Sequence, residues 1–183
     1  MSRKRFRRPS RTGPVLFVLL ILWIAYRLYS VSEQQQQAPV ATYENVVVAR
    51  VVDGDTLLLD SGARLRLLGV DTPETKHPDL PPQPFGLEAT QFTERFIQSG
   101  DVRLEFDRER FDNYGRILAF VFVNDRMLNE ELVAAGLATA EPQYPYRGDY
   151  KRRFLKAEES AKAARLAIWS IQELPKQEIL REF

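Results

Sequence analysis

The sequence predicts an α+β fold, a small barrel of five short strands with about three helices packed on it, set behind an N-terminal apolar helix. Three observations predict it. Short Val- and Leu-rich runs broken by turn residues recur along the chain, later segments show helical periodicity, and one apolar stretch near the start has no polar face. With 183 residues, 44% of them hydrophobic, the chain suits one domain plus a short appendage.

Residues 44–52 and 56–60 read as strands, and 64–70 follows the turn-forming Ser61-Gly62, which makes a three-stranded meander. Between 85 and 97 Ala89, Phe92, Phe96 and Ile97 recur at helical spacing, and Gly100-Asp101 closes that helix. Strand character returns at 102–106 and 117–123. Residues 127–135 and 150–168 read as helices, the second with an apolar stripe of Phe154, Ala157, Ala161 and Ala164. The charged tail 171–183, with Pro175 near its start, reads as peripheral.

Residues 1–29 combine a basic stub, RKRFRRPSR, with the uninterrupted apolar run VLFVLLILWIAY from Val15 to Tyr26, the pattern of a transmembrane or export segment. At roughly 1.5 Å per residue the run is shorter than the roughly 30 Å hydrocarbon core, so length does not separate anchor from signal. Ser30 and Ser32, around Val31 and after Tyr29, make a poor cleavage site, which favours a single-pass anchor over a secreted product. The basic end then stays cytoplasmic and the domain lies on the far side. Residues 30–43, polar with a glutamine run, read as a flexible tether, and 44–170 as the domain.

Cysteine is absent, which excludes thiolate metal sites and cysteine nucleophiles; any metal falls to oxygen ligands or to the lone His77. His77, between Lys76 and Pro78, reads as a surface loop residue. The net charge of +1 conceals an uneven distribution. Seven of the 26 basic side chains lie in the first 29 residues, which hold no acid; the other 19 face 25 acids, about −6. Nucleic acid contact would therefore depend on a few placed cations or a bound metal, not on a wide positive face.

Polar residues concentrate in VVDGDTLLL around Asp53 and Asp55, RLRLLGVDTPET over 64–75, and FDNYGRILAF around Arg116. Arg66 and Asp71 are five apart, an odd offset that puts them on opposite faces of a straight strand. They share one site only if the strand bends, for which Gly69 is the natural place. Cleaving a phosphodiester needs a cation to polarise the phosphate, a base to take a proton from water, and donors for the transition-state oxygens. Asp55 and Asp71 are candidate ligands for a hard cation such as Ca²⁺. Glu74 remains as a base, and Arg66 and Arg116 can bind phosphate bidentately.

The ordered set VDGDT, RLLGVDTPET, YGRILA and AIWS, across residues 46–170, resembles the thermonuclease (staphylococcal nuclease) family. That resemblance implies a five-stranded OB-type barrel with three helices, and Ca²⁺-dependent cleavage of DNA and RNA to 3′-phosphate ends. It further implies Asp55, Asp71 and the Thr72 carbonyl as calcium ligands, Glu74 as general base, and Arg66 and Arg116 on the phosphate, with Asp53 orienting the site. Tyr114, Tyr144 and Tyr146 become candidate substrate contacts. The chain departs from the family pattern at Asn113, where a lysine is expected, and at Asp79-Leu80-Pro81-Pro82, which replaces a basic loop. A competing reading, a non-catalytic OB-type binding module at the membrane, predicts the loss of one or more site residues, and all five reactive side chains are present.

Overall fold

The computed structural model of the chain describes residues 19–27, 42–43, 45–75 and 81–171. Contacts divide the chain into two units, Met1–Gln37 and Ala38–Phe183. In the first, residues 19–27 are helical and exposed. Among the described residues no helix is long and apolar enough to cross a membrane. The rest of the expected anchor, most of the tether, His77, the 79–80 part of the replaced loop and the tail after Ile171 lie outside the described residues.

The second unit runs β1 (Thr42–Tyr43), β2 (Val48–Asp53), β3 (Thr56–Leu59), β4 (Arg64–Leu67), β5 (Val70–Asp71), α1 (Gly86–Ile97), β6 (Val102–Glu105), β7 (Ile117–Val123), β8 (Arg126–Met127), α2 (Leu128–Ala134), β9 (Thr139–Ala140) and α3 (Gly148–Ala163), closed by a 3₁₀ turn at Ala167–Ser170. It is an α+β domain on a mixed sheet of order β1-β6-β7-β4-β3-β2, with β8 also on β7 and a two-stranded sheet of β5 and β9. Tight turns make β2, β3 and β4 antiparallel neighbours. β4 and β7 pair in parallel, which the long connection through α1 and β6 permits.

The expected closed barrel is not found among the described strand pairings, and the sheet ends at β1 and β2. The free edge of β6 is taken by β1, Thr42 opposite Glu105 and Tyr43 opposite Leu104. Those two residues belong to the stretch read as tether. The chain ahead of β2 still reaches β6 through the Val46 N–H, which donates to the Val102 carbonyl at 2.9 Å.

β7, ILAFVFV, is apolar at every position because it lies mid-sheet and is covered by helices. Phe120 and Val121 on it, with Leu57, Leu65, Leu132 and Phe154, are fully buried. Between β4 and β5 the chain turns sharply at Gly69, φ +80°. A Cβ there would stand 2.6 Å from the Tyr146 ring, so glycine is required by both backbone and neighbour. The bend takes β4 away from β7 and leaves the Leu68 carbonyl and the Val121 N–H without ladder partners. Asn129, fully buried on α2, serves both: its Nδ2 donates to Leu68 at 2.9 Å and its Oδ1 accepts from Val121 at 3.0 Å. Either group left unpaired would cost about 1–3 kcal/mol.

The last helix begins two residues earlier than its periodicity indicates and stops at Ala163, where the sequence reading runs on to 168. Arg165 and Ala167 adopt positive φ, 51° and 41°, and break it. The turn thereby brings Ile168 N–H onto the Gly136 carbonyl at 3.1 Å, seating the 3₁₀ turn against the segment that follows α2.

Candidate active site

Arg66 lies on β4 between Thr56 of β3 and Leu118 of β7, and the bend at Gly69 swings Asp71 back to its side of the sheet. Its guanidinium Nη2 donates to Asp71 Oδ1 at 2.6 Å. Its Nη1 donates to the Val70 carbonyl at 2.7 Å and the Leu67 carbonyl at 3.3 Å, and lies 2.9 Å from Asp55 Oδ2. One arginine thus ties together carboxylates 16 positions apart in sequence.

Asp55 sits in the β2–β3 turn and is only 6% exposed. A buried carboxylate needs donors on most of its lone pairs. Thr72 supplies two, its N–H at 2.7 Å and its hydroxyl at 2.9 Å, both to Oδ2, and the Thr56 hydroxyl donates to Oδ1 at 3.2 Å. The turn is pinned to α1 by the Thr93 hydroxyl on the Gly54 carbonyl, 2.6 Å. Asp53 accepts the Asp55 N–H at 3.3 Å, and burial together with the Asp55 charge pushes its carboxyl up to about 6.

Negative charge exceeds positive here. Burial raises Asp71 above the usual carboxylate range, Arg66 opposes this, and Asp55 and Glu74 add to it. Glu141, which follows β9, is raised by burial and by Asp71, and its Oε2 lies 3.9 Å from Arg66 Nη2. Glu74 is exposed, and its backbone is clamped on both sides by Gln83: its N–H donates to Gln83 Oε1 at 3.0 Å and its carbonyl accepts the Gln83 N–H at 2.9 Å. Among the described residues no group of three or more acidic or histidine side chains converges as a ready metal cage.

The second wall is the loop before β7. Asp112 accepts the Arg116 Nε at 2.6 Å and the backbone N–H groups of Tyr114 and Arg116 at 2.9 Å each. Burial alone would raise the Asp112 carboxyl, but these bonds hold it below the usual range. A cleft of about 260 Å³ opens between this loop and the β4–β5 bend, lined by Arg66, Arg116, Glu141, Phe111, Tyr114 and Tyr144. Tyr114 is 86% exposed and Tyr144 49%. Tyr146, expected beside Tyr144 as a substrate contact, is instead 7% exposed, with its ring packed near Phe120 and Phe154 and its hydroxyl donating to the Gly69 carbonyl at 3.4 Å. Its alternation with Tyr144 turns it into the core, so it offers no stacking face.

Asp55, Arg66, Asp71 and Thr72 therefore form one linked cluster, with Arg116 and two of the three tyrosines on the adjoining cleft. Glu141, Gln83 and Phe111 were not singled out from the sequence. Glu141 follows a two-residue strand with no periodic signal, Gln83 acts through backbone, and an isolated phenylalanine reads as core.

Two carboxylates bridged by an arginine, beside an open cleft with a second arginine, on a small α+β domain, are parts that a hydrolase of phosphodiesters requires. Residues 64–171 match the family described as staphylococcal nuclease homologue. The chain is 38% identical over 167 residues to a thermonuclease of Staphylococcus hyicus, covering 87% of this chain and 96% of that protein. It is 44% identical over 129 residues to a thermonuclease of Staphylococcus intermedius, 69% of this chain and 76% of that one. To the endonuclease YncB of Bacillus subtilis it is 37% identical over 150 residues, 78% and 71% of the two chains. The chain belongs to the staphylococcal nuclease family and is a nuclease.

Proposed function

We propose that this nuclease is calcium-dependent, cleaves DNA or RNA to 3′-phosphate ends, and works through the cluster of Asp55, Arg66, Asp71, Glu74 and Arg116. The observation that carries the reading is the position of Arg66, which touches both candidate ligand carboxylates and also lines the cleft that holds Arg116. The donor chemistry suits a hard cation: one guanidinium faces Asp55, Asp71 and Glu141, and burial first, then the neighbouring carboxylates, raises Asp71 and Glu141 against the opposing effect of Arg66. Asp55, Asp71 and the Thr72 carbonyl would hold Ca²⁺, which when bound polarises the phosphate and offsets its charge.

The chain's own groups do the rest. Glu74, exposed on a loop fixed by Gln83, takes a proton from water as the water oxygen bonds to phosphorus. The P–O5′ bond breaks as that one forms, and the departing O5′ takes a proton from solvent water to leave as the 5′-hydroxyl. Arg116, aimed by Asp112, hydrogen-bonds the phosphate and the departing oxygen, and Arg66 binds the remaining phosphate oxygens. Tyr114 and Tyr144 offer faces to bases along the cleft. The basic stub and apolar run of residues 1–29 support an extracytoplasmic domain, anchored or released.

End-labelled oligonucleotides incubated with the full chain test this. Cleavage to 3′-phosphate fragments is expected with calcium and none with chelator. Replacing Glu74→Gln should lower kcat at least about 100-fold, the usual scale of a general base. Cleavage in chelator, or wild-type kcat in that variant, would sink the mechanism.

A further inference from the structure

Arg66 cannot serve the phosphate while both its amino groups neutralise Asp55 and Asp71. Its two ends are held differently. Nη1 lies 2.9 Å from Asp55 but also donates to the carbonyls of Val70 and Leu67, so it keeps neutral partners if Asp55 turns away, whereas Nη2 lies between two carboxylates, bonded to Asp71 at 2.6 Å with Glu141 at 3.9 Å. Glu141 and Arg66 line the same cleft as Arg116. The Glu141 backbone is anchored, since its N–H donates to the Gly69 carbonyl at 2.9 Å and the preceding Ala140 pairs with Val70. The carboxylate is thereby carried on the same bend that presents Asp71.

We infer that Glu141 is a positioning residue for Arg66: when Asp55 and Asp71 turn to a cation, Nη2 pivots about the fixed Nη1 from Asp71 to Glu141, which presents the guanidinium to the cleft. The inference rests on the calcium reading above. It makes Glu141 a helper of cation binding that never ligates the cation, because it removes the guanidinium that competes for Asp71. Charge alone would let any nearby acid do this; the pivot requires that Glu141 reach Arg66.

Calorimetric titration of calcium into the full chain, without substrate, tests it. Glu141→Gln should weaken calcium binding about 5- to 10-fold. In an Arg66→Lys background, where the single ammonium cannot span two partners, the same change should cost less than about 2-fold. Equal losses in both backgrounds would assign the effect to bare charge and overturn the pivot, as would no loss in the wild-type background. If Arg66→Lys does not fold by circular dichroism, Glu141→Asp decides: it keeps the charge but withdraws the carboxylate by one methylene. Binding weakened as in Glu141→Gln supports the pivot, and wild-type binding overturns it. A wild-type chain that takes up no calcium overturns the calcium reading itself and this inference with it.

Discussion

Gly69 shows how much one residue decides. Its φ of +80° ends β4, turns Asp71 back toward Arg66, and leaves its carbonyl to accept both the Tyr146 hydroxyl and the Glu141 N–H. Replacing Gly69→Ala adds a left-handed strain and sets a methyl 2.6 Å from the Tyr146 ring, a side chain held between Phe120 and Phe154 and unable to move cheaply. The expected cost is about 2–3 kcal/mol, read as a lower denaturant midpoint at unchanged slope. A loss below about 0.5 kcal/mol would show that the turn tolerates a side chain. The need for a bend was legible from the odd spacing of Arg66 and Asp71; the part played by Tyr146 was not, since nothing in its neighbourhood distinguishes a stacking tyrosine from a buried one.

Elements are joined by polar contacts that sequence periodicity does not register. At the start of α3 the Tyr150 hydroxyl donates to Glu105 of β6 at 2.9 Å, and Arg147 binds Glu105 at 2.6 Å while its N–H reaches Asp107 at 2.7 Å. Burial first, then the Glu105 contact, pushes the Tyr150 hydroxyl up to about 12; burial and the Glu141 charge do the same for Tyr146. Both exceed the ordinary value of about 10 in an unfolded chain, so the fold favours the protonated phenols. That stability is fully present below about pH 10 and is lost as the pH rises toward about 12. Denaturant midpoints should therefore fall between about pH 10 and 12, with a smaller fall in Tyr150→Phe; an unchanged pH dependence in that variant would remove Tyr150 from the account.

For the whole molecule, charge sets the style of substrate binding. The chain after residue 29 has 19 basic and 25 acidic side chains, so on the proposed mechanism the grip on an anionic polymer falls to the cleft with Arg66 and Arg116. Neutralising two phosphates of a single strand gives a slope of about −1.4 in log affinity against log salt, at about −0.7 per contact. Binding of a labelled single-stranded oligonucleotide to Glu74→Gln with calcium should show that shallow slope. A slope steeper than about −4, roughly six phosphate contacts, would overturn a grip made by these two arginines.

Sequence by itself determined the elements that depend on neighbours along the chain: the three-stranded meander, β6 and β7, α1 and α2, and the family motifs that carry the proposed site, because alternation, helical spacing and motif order are local. Only the tertiary structure decided the rest. Whether the sheet closes depends on which strand takes the edge of β6, and β1 takes it. The β5–β9 pair, the Asn129 bridge and the approach of Glu141 to Arg66 join residues about 60 to 75 positions apart. Such contacts leave no periodic trace, since each is fixed by where the Gly69 bend sends the chain rather than by what stands next to it in sequence.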